Sequence, residues 1–158
     1  MGIDPRNSVC HGSCTAVKHQ RISNKIAYQL EKLLKNSRHC NAYLPVDWEI
    51  TEYTVVQPDN MVVCGENIEE EKLTIPPVLV FEILSPSSTR MDRIIKYQLY
   101  QEAGVKYYCI VDPESRSAEV FQLKGNEYKG MREDQEGKMT FHLGECIISF
   151  DFGELFKE

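Results

Sequence analysis

Three apolar runs in the middle of the chain, with one helical pattern between the last two, decide the fold. They read PDNMVVC (58–64), VLVFEIL (78–84), RMDRIIKYQLYQEAG (90–104) and KYYCIVDP (106–113). Short continuous apolar runs are typical of buried strands, whereas apolar residues at helical spacing indicate an amphipathic helix. No tight hairpin joins the last two runs, so the strand–helix–strand order predicts a parallel crossover.

The flanking segments extend this unit. Residues 18–36 have apolar side chains at helical spacing and predict a first amphipathic helix, and residues 45–57 predict one strand. The charged insert at 65–73 predicts an exposed loop. After residue 113, short apolar runs at meander spacing predict an antiparallel extension. We therefore expect an α/β fold in which a mixed β-sheet is flanked by two helices and followed by the antiparallel extension.

Length and composition indicate one globular domain, which we assign to residues 17–158. Residues 1–16 show no periodicity and are expected to be flexible or vector-derived. No apolar run is long enough to span a bilayer and no leading segment resembles a secretory signal, so we expect a cytoplasmic protein.

The net charge is −6, but residues 1–40 carry +5 and the remainder −11. A basic first helix could contact a phosphate backbone, although a solvated helix face explains the same charges.

The six cysteines are expected to be free thiols in a reducing compartment. Three of them lie in or beside apolar runs: Cys64, Cys109 and Cys146. Cysteine in such a run behaves as a small buried hydrophobe. Cys10, His11 and Cys14 could form half of a metal site, but no second Cys/His pair follows at zinc-finger spacing.

Glu82 is the one residue that does not fit its surroundings, because it interrupts an otherwise apolar strand. A lone buried carboxylate costs several kcal/mol unless it is paired, protonated or bound to a metal. Asp59 opens the preceding strand and could face Glu82 across the sheet. Two carboxylates about 4–6 Å apart repel each other, and hard oxygen ligands suit Mg²⁺ or Mn²⁺. The pair therefore predicts a divalent-metal site.

Lys96 is the candidate cation beside these carboxylates, with Arg93 and Tyr100 on the same helix face at i−3 and i+4. An ammonium group there could orient an attacking water or stabilise charge on a phosphate. A simpler interpretation makes Glu82 one half of a structural ion pair with Lys96 or Arg93. Asp59 after a proline is also ordinary turn chemistry. The residues alone leave these alternatives open.

Several motifs together resemble the Uma family of bacterial restriction endonucleases, within the PD-(D/E)XK nuclease superfamily. They are PD (58–59), EILSPS (82–87), DRxxK (92–96), Tyr100 and GVxxYxIVDP (104–113). HQRI (19–22) and FDFxxLF (150–156) resemble the ends of that family. The resemblance covers about residues 18–156. It implies a restriction-endonuclease-like core, a divalent metal and hydrolysis of phosphodiester bonds.

Carried over by position, the resemblance makes Asp59 and Glu82 the two acidic residues of the nuclease motif. The usual lysine of the superfamily lies two residues after the second acid, where this chain has Leu84. Lys96, on the following helix, is then the expected substitute. Glu31 on the first helix corresponds to a place where some superfamily members have an additional metal-binding acid.

The leading hypothesis is an endonuclease that depends on Mg²⁺ (or Mn²⁺) and acts on DNA. Arg90, Arg93 and the basic first helix are candidates for phosphate contacts. A homodimer is expected, because two symmetric sites suit the cleavage of both strands. The rival hypothesis is a non-catalytic interaction or regulatory protein that keeps the nuclease fold, which the acidic charge and Leu84 favour. A hydrolase of another phosphate ester is a third possibility.

Overall fold

The computed structural model of the chain describes residues 16–65, 68, 72–132 and 137–158. Two α-helices, ten strands and a short 3-10 helix occur in these ranges. The elements are α1 (Ala16–Leu33), β1 (Cys40–Tyr43), β2 (Trp48–Thr51), β3 (Thr54–Val56), β4 (Asn60–Cys64), β5 (Leu79–Ile83), α2 (Arg90–Ala103), β6 (Tyr107–Asp112), β7 (Ser117–Lys124), β8 (Glu127–Met131), β9 (Lys138–Leu143), β10 (Cys146–Asp151) and the 3-10 helix Gly153–Phe156.

A six-stranded mixed sheet forms the centre of the domain, in the order β1-β4-β5-β6-β7-β8. Strands β5 and β6 are parallel and joined through α2, while the other neighbouring pairs of this sheet are antiparallel. Strands β9 and β10 form a separate C-terminal hairpin. The predicted α/β architecture with two helices, a parallel crossover and an antiparallel extension is therefore confirmed.

Alternation along the buried strands divides the core between the two faces of the sheet. Phe81 and Ile83 contribute to one core, which also contains the apolar face of α1 and the C-terminal hairpin. Val80 contributes to the other core, together with Tyr100 of α2 and Trp48 of β2. The side chain of Glu82 follows the same alternation as Val80 and is therefore directed toward α2.

The region before β4 differs from its prediction. Residues 45–57 form two short strands instead of one, and β2 and β3 pair as a hairpin outside the main sheet. Most of the insert at 65–73 lies outside the described residues. Its last residue, Leu73, is buried and bridges Trp48 rather than standing in an exposed loop. Leu73 packs into the hydrophobic core although the residues just before it in sequence are charged, so the charged composition of the insert does not predict its burial.

The cysteine prediction is wrong for Cys40 and Cys64, which form a disulfide. The sequence does not predict β1, yet β1 pairs with β4 in a register that sets these two cysteines directly opposite, with their Cα atoms 4.0 Å apart. Cys109 and Cys146 are free, and Cys109 is buried as expected. Cys10, His11 and Cys14, which by sequence could form half of a metal site, lie outside the described ranges, as does all but the last residue of the segment 1–16 that the sequence predicts to be flexible. No helix within those ranges is long and apolar enough to cross a membrane.

Candidate functional site

The register of the sheet places Asp59 opposite Glu82. In the antiparallel pair of β4 and β5, Asn60 is the partner of Phe81, so one further step in the same register sets Asp59 against Glu82. Side chains directly opposite in such a pair have Cβ atoms about 4.5–5.5 Å apart and lie on one face. The two carboxyl groups that the sequence singles out therefore meet where β4 begins and β5 ends.

Glu82 is buried and accepts two hydrogen bonds from α2. The hydroxyl group of Tyr100 donates to its Oε1 atom at 2.5 Å, and the ammonium group of Lys96 lies 3.2 Å from its Oε2 atom. The Glu82 side chain is 7% exposed and that of Lys96 is 41% exposed. Lys96 and Tyr100 are four residues apart, one helical turn, so both project from the same face of α2. Lys96 therefore contacts the buried carboxylate of Glu82 and is itself partly exposed to solvent.

The protonation of Glu82 is shifted by these surroundings. Burial is the largest cause and raises the pKa of Glu82 to about 7, since a charged carboxylate loses hydration inside the protein. The charge of Lys96 lowers this pKa, and the charge of Asp59 raises it. Near neutral pH the side chain is thus divided between its acidic and ionised forms. A cation between the two carboxylates would favour the ionised form.

Asp59 is surrounded by hydrogen-bond donors. The backbone N–H of Ile83 donates to Oδ2 at 2.8 Å, and the Nε2 atom of His19 lies 3.1 Å from Oδ1. Burial alone would raise the pKa of Asp59, but the hydrogen bonds from His19 and Ile83 outweigh it and hold the pKa below its usual range. Asp59 is accordingly an anion at neutral pH.

Tyr100 is held in place by aromatic neighbours. Its ring stacks on Trp48 with centroids 5.8 Å apart and meets Tyr108 edge-to-face at 5.1 Å. Burial, followed by the nearby charge of Glu82, raises the pKa of Tyr100 far above its usual range. The hydroxyl group therefore stays protonated and acts as a fixed donor to Glu82.

Sequence reasoning missed His19 as part of this site. The residue lies near the start of α1, and its pKa is raised chiefly by its hydrogen bond to Asp59. The HQRI motif indicates only that this segment resembles one end of the family, and it does not indicate a contact of His19 with Asp59. A local pattern does not tell which later residue a helix terminus contacts.

The remaining candidates do not join the carboxylate pair. Glu31 is exposed and lies twelve residues after His19 on α1, which corresponds to about 18 Å along the helix axis. Arg93 and Arg90 are exposed on α2, and among the described residues neither makes an ion pair. The structural ion pair considered for Glu82 therefore involves Lys96 rather than Arg93.

The ligand atoms at this place suit a hard divalent cation, because Asp59 and Glu82 both offer carboxylate oxygens. The two groups are also close enough for the negative charge of Asp59 to raise the pKa of Glu82. Within the described ranges, however, no three His, Cys, Asp or Glu side chains are grouped to hold a metal ion. A cation at this place would have to complete its coordination with backbone carbonyl oxygens and water.

The mixed α/β fold of this chain is shared with a solved structure. A crystal structure described as a "putative nuclease belonging to DUF820" from Anabaena variabilis is similar over 89% of this chain and 80% of that chain, with a TM-score of 0.71 and 17% sequence identity. At this identity the similarity establishes the fold alone.

The sequence profile of the Uma2 family, described as "Putative restriction endonuclease", matches residues 5–145. The chain belongs to the Uma2 family, as the motif resemblance predicts. No curated protein matches the chain.

Proposed function

We propose that this domain hydrolyses phosphodiester bonds in DNA with the help of a divalent cation, Mg²⁺ or Mn²⁺, held by Asp59 and Glu82. The observation that supports this most is the contact of Lys96 with the buried Glu82, beside Asp59, in a chain of the Uma2 family. The family description names a nuclease-type activity, and the site has the charges which that chemistry requires.

Each group has a separate task in the proposal. A bound divalent ion supplies a water of lowered pKa and polarises a phosphoryl oxygen. Tyr100 fixes one oxygen of Glu82, which leaves the carboxylate group little freedom to rotate. Lys96 reaches solvent and could leave Glu82 to orient a water or to contact a phosphate oxygen. In this role Lys96 substitutes for the lysine that is absent at Leu84.

Exposed basic residues on the two helices are the proposed contacts for the phosphates of DNA. Arg90 and Arg93 are exposed on the same helix as Lys96 and are free to contact phosphates. The basic residues of α1 offer a second surface of the same kind. We further propose a homodimer, because two symmetric sites suit the cleavage of both strands of a duplex. We also propose a cytoplasmic location, where DNA is accessible.

One observation favours a second candidate, a non-catalytic protein that keeps the nuclease fold. Every oxygen of the two carboxyl groups already has a partner within the chain: Tyr100 and Lys96 for Glu82, His19 and the Ile83 N–H for Asp59. A site satisfied in this way needs no metal to be stable.

A nicking assay on supercoiled plasmid with Mg²⁺ or Mn²⁺ separates the two candidates. We expect cleavage by the wild type and a loss of roughly 100-fold or more in Asp59→Ala and Lys96→Ala, because each removes a group that acts on the transition state. Lys124→Ala removes an exposed lysine at the end of β7 and serves as the matched control. Absence of cleavage at all metal and salt concentrations, or equal rates in the three variants, would refute the nuclease proposal.

A further inference from the structure

We propose that His19 is a positioning residue for Asp59: it holds the carboxylate in the orientation that binds the divalent cation and so makes α1 part of the site. This inference rests on the proposed function, since it assigns His19 to the metal site described above.

Asp59 depends on outside donors for its orientation. It lies one residue before β4 begins, and its side chain is 19% exposed, so the strand itself does not hold the carboxylate group. The N–H of Ile83 contacts one oxygen and His19 contacts the other. Two donors on different oxygens fix the plane of the carboxylate, whereas either donor alone would leave it free to turn.

The position of His19 is set by a second contact on the same helix. Ser23 lies one turn further along α1, and its hydroxyl group donates to the side-chain oxygen of Asn60 at 3.0 Å. The side-chain amide of Asn60 donates in return to the Ser23 carbonyl oxygen at 3.2 Å. Both residues are buried. The pairs His19–Asp59 and Ser23–Asn60 therefore lock one turn of α1 against two consecutive residues, and the imidazole is presented by a rigid element.

The chemistry of the contact assigns the donor. A carboxylate oxygen can only accept a hydrogen bond, so in the 3.1 Å contact between the Nε2 atom of His19 and the Oδ1 atom of Asp59 the imidazole nitrogen carries the hydrogen. Hydrogen bonds from surrounding residues to ligating carboxylates keep the ligands oriented, and their loss typically lowers metal affinity about 10- to 100-fold. His19 need not contact the ion to have this effect.

Calorimetric titration of the full chain with Mn²⁺ tests the inference. We would compare the wild type with His19→Gln and His19→Met. Glutamine and methionine have side chains of similar length, but only glutamine can donate a hydrogen bond to Asp59. His142→Ala, on the exposed side of β9, is the matched control. We expect about 10- to 100-fold weaker Mn²⁺ binding in His19→Met, affinity within a few-fold of the wild type in His19→Gln, and no change in the control. Urea denaturation of each variant separates loss of stability from loss of affinity.

The outcomes are distinguishable. Equal Mn²⁺ affinity in folded His19→Met and wild type overturns the role of His19 and leaves the metal proposal intact. Equally weak binding by His19→Gln and His19→Met also overturns it, because a donated hydrogen bond would then not be the cause. If the wild type itself binds no Mn²⁺, the proposed function fails in its metal-dependent form, and this inference fails with it.

Discussion

The protonation state of Glu82 depends on neighbouring groups that have opposite effects. Burial and the charge of Asp59 favour its protonated form, whereas Lys96 and Tyr100 favour the carboxylate. The pKa of about 7 is the balance of these effects. Because a metal ligand must be deprotonated, a cation at this position competes with a proton near neutral pH.

This balance predicts a pH-dependent cost of folding. A carboxyl group whose folded pKa lies above its ordinary value contributes stability below the ordinary pKa and loses it as pH rises through the folded pKa. For Glu82 the interval runs from 4.5 to about 7. Without metal, we expect Glu82→Gln to gain stability relative to the wild type across this interval, by roughly 3 kcal/mol at most. Urea denaturation between pH 4.5 and 8 with a chelator present measures the difference.

Glu31→Gln is the control for this measurement, because Glu31 is exposed. We expect its stability to follow that of the wild type at every pH. A difference between Glu82→Gln and the wild type that stays constant with pH would mean that Glu82 does not change its protonation in this interval.

At the scale of elements, α2 brings the functional groups to the sheet. It is preceded by a capping box in which Thr89 and Asp92 exchange hydrogen bonds, and it is capped at its C-terminal end by Gly104, whose φ of 86° lies in the left-handed region that glycine tolerates. Between these ends, Lys96 and Tyr100 face β5. The two ends define the length of the helix, and the helical period brings both donors to Glu82.

The capping box predicts a modest but specific effect. Thr89→Ala removes the side-chain oxygen that accepts from the Asp92 backbone N–H, so we expect a loss of about 1 kcal/mol in the free energy of unfolding. Thr89→Ser keeps the hydroxyl group and should retain most of this stability. Chemical denaturation of the three proteins measures the effect. Equal stability of the alanine variant and the wild type would show that the cap contributes nothing.

At the scale of the whole molecule, the disulfide joins the edge strand β1 to β4, the strand that follows Asp59. It closes a loop with a sequence separation of 24. A cross-link of this span restricts the unfolded chain and typically stabilises a protein by about 2–4 kcal/mol. In a reducing cytoplasm the two cysteines would instead be thiols.

We therefore expect reduction of the purified protein to lower its free energy of unfolding by about 2–4 kcal/mol, measured by denaturation with and without a phosphine reductant. Cys40→Ser combined with Cys64→Ser should reproduce the reduced protein and make it insensitive to the reductant. Alkylation of thiols immediately after cell lysis, read by mass spectrometry, reports the state in the cell. An unchanged stability on complete reduction would contradict the stabilising role.

The sequence alone determines the elements whose signals are local. The continuous apolar runs of β5 and β6 and the helical spacing of α2 are each visible within a short segment, and the strand–helix–strand order predicts a parallel crossover because no tight hairpin joins the two strands. Glu82 is visible for the same reason, since one charge among aliphatic residues breaks a short-range pattern. The motifs around it also indicate the Uma2 family from the sequence alone.

The tertiary structure decides which distant residues meet. The contacts of Asp59 with His19, of Cys40 with Cys64 and of Leu73 with Trp48 depend on strand register and helix docking, and each partner is far away in sequence. Register is set by how whole apolar faces pack, so the free energy that selects it is spread over the core and is not encoded in any single segment. For that reason the sequence predicts the carboxylates of the site, whereas only the folded chain supplies the histidine beside them.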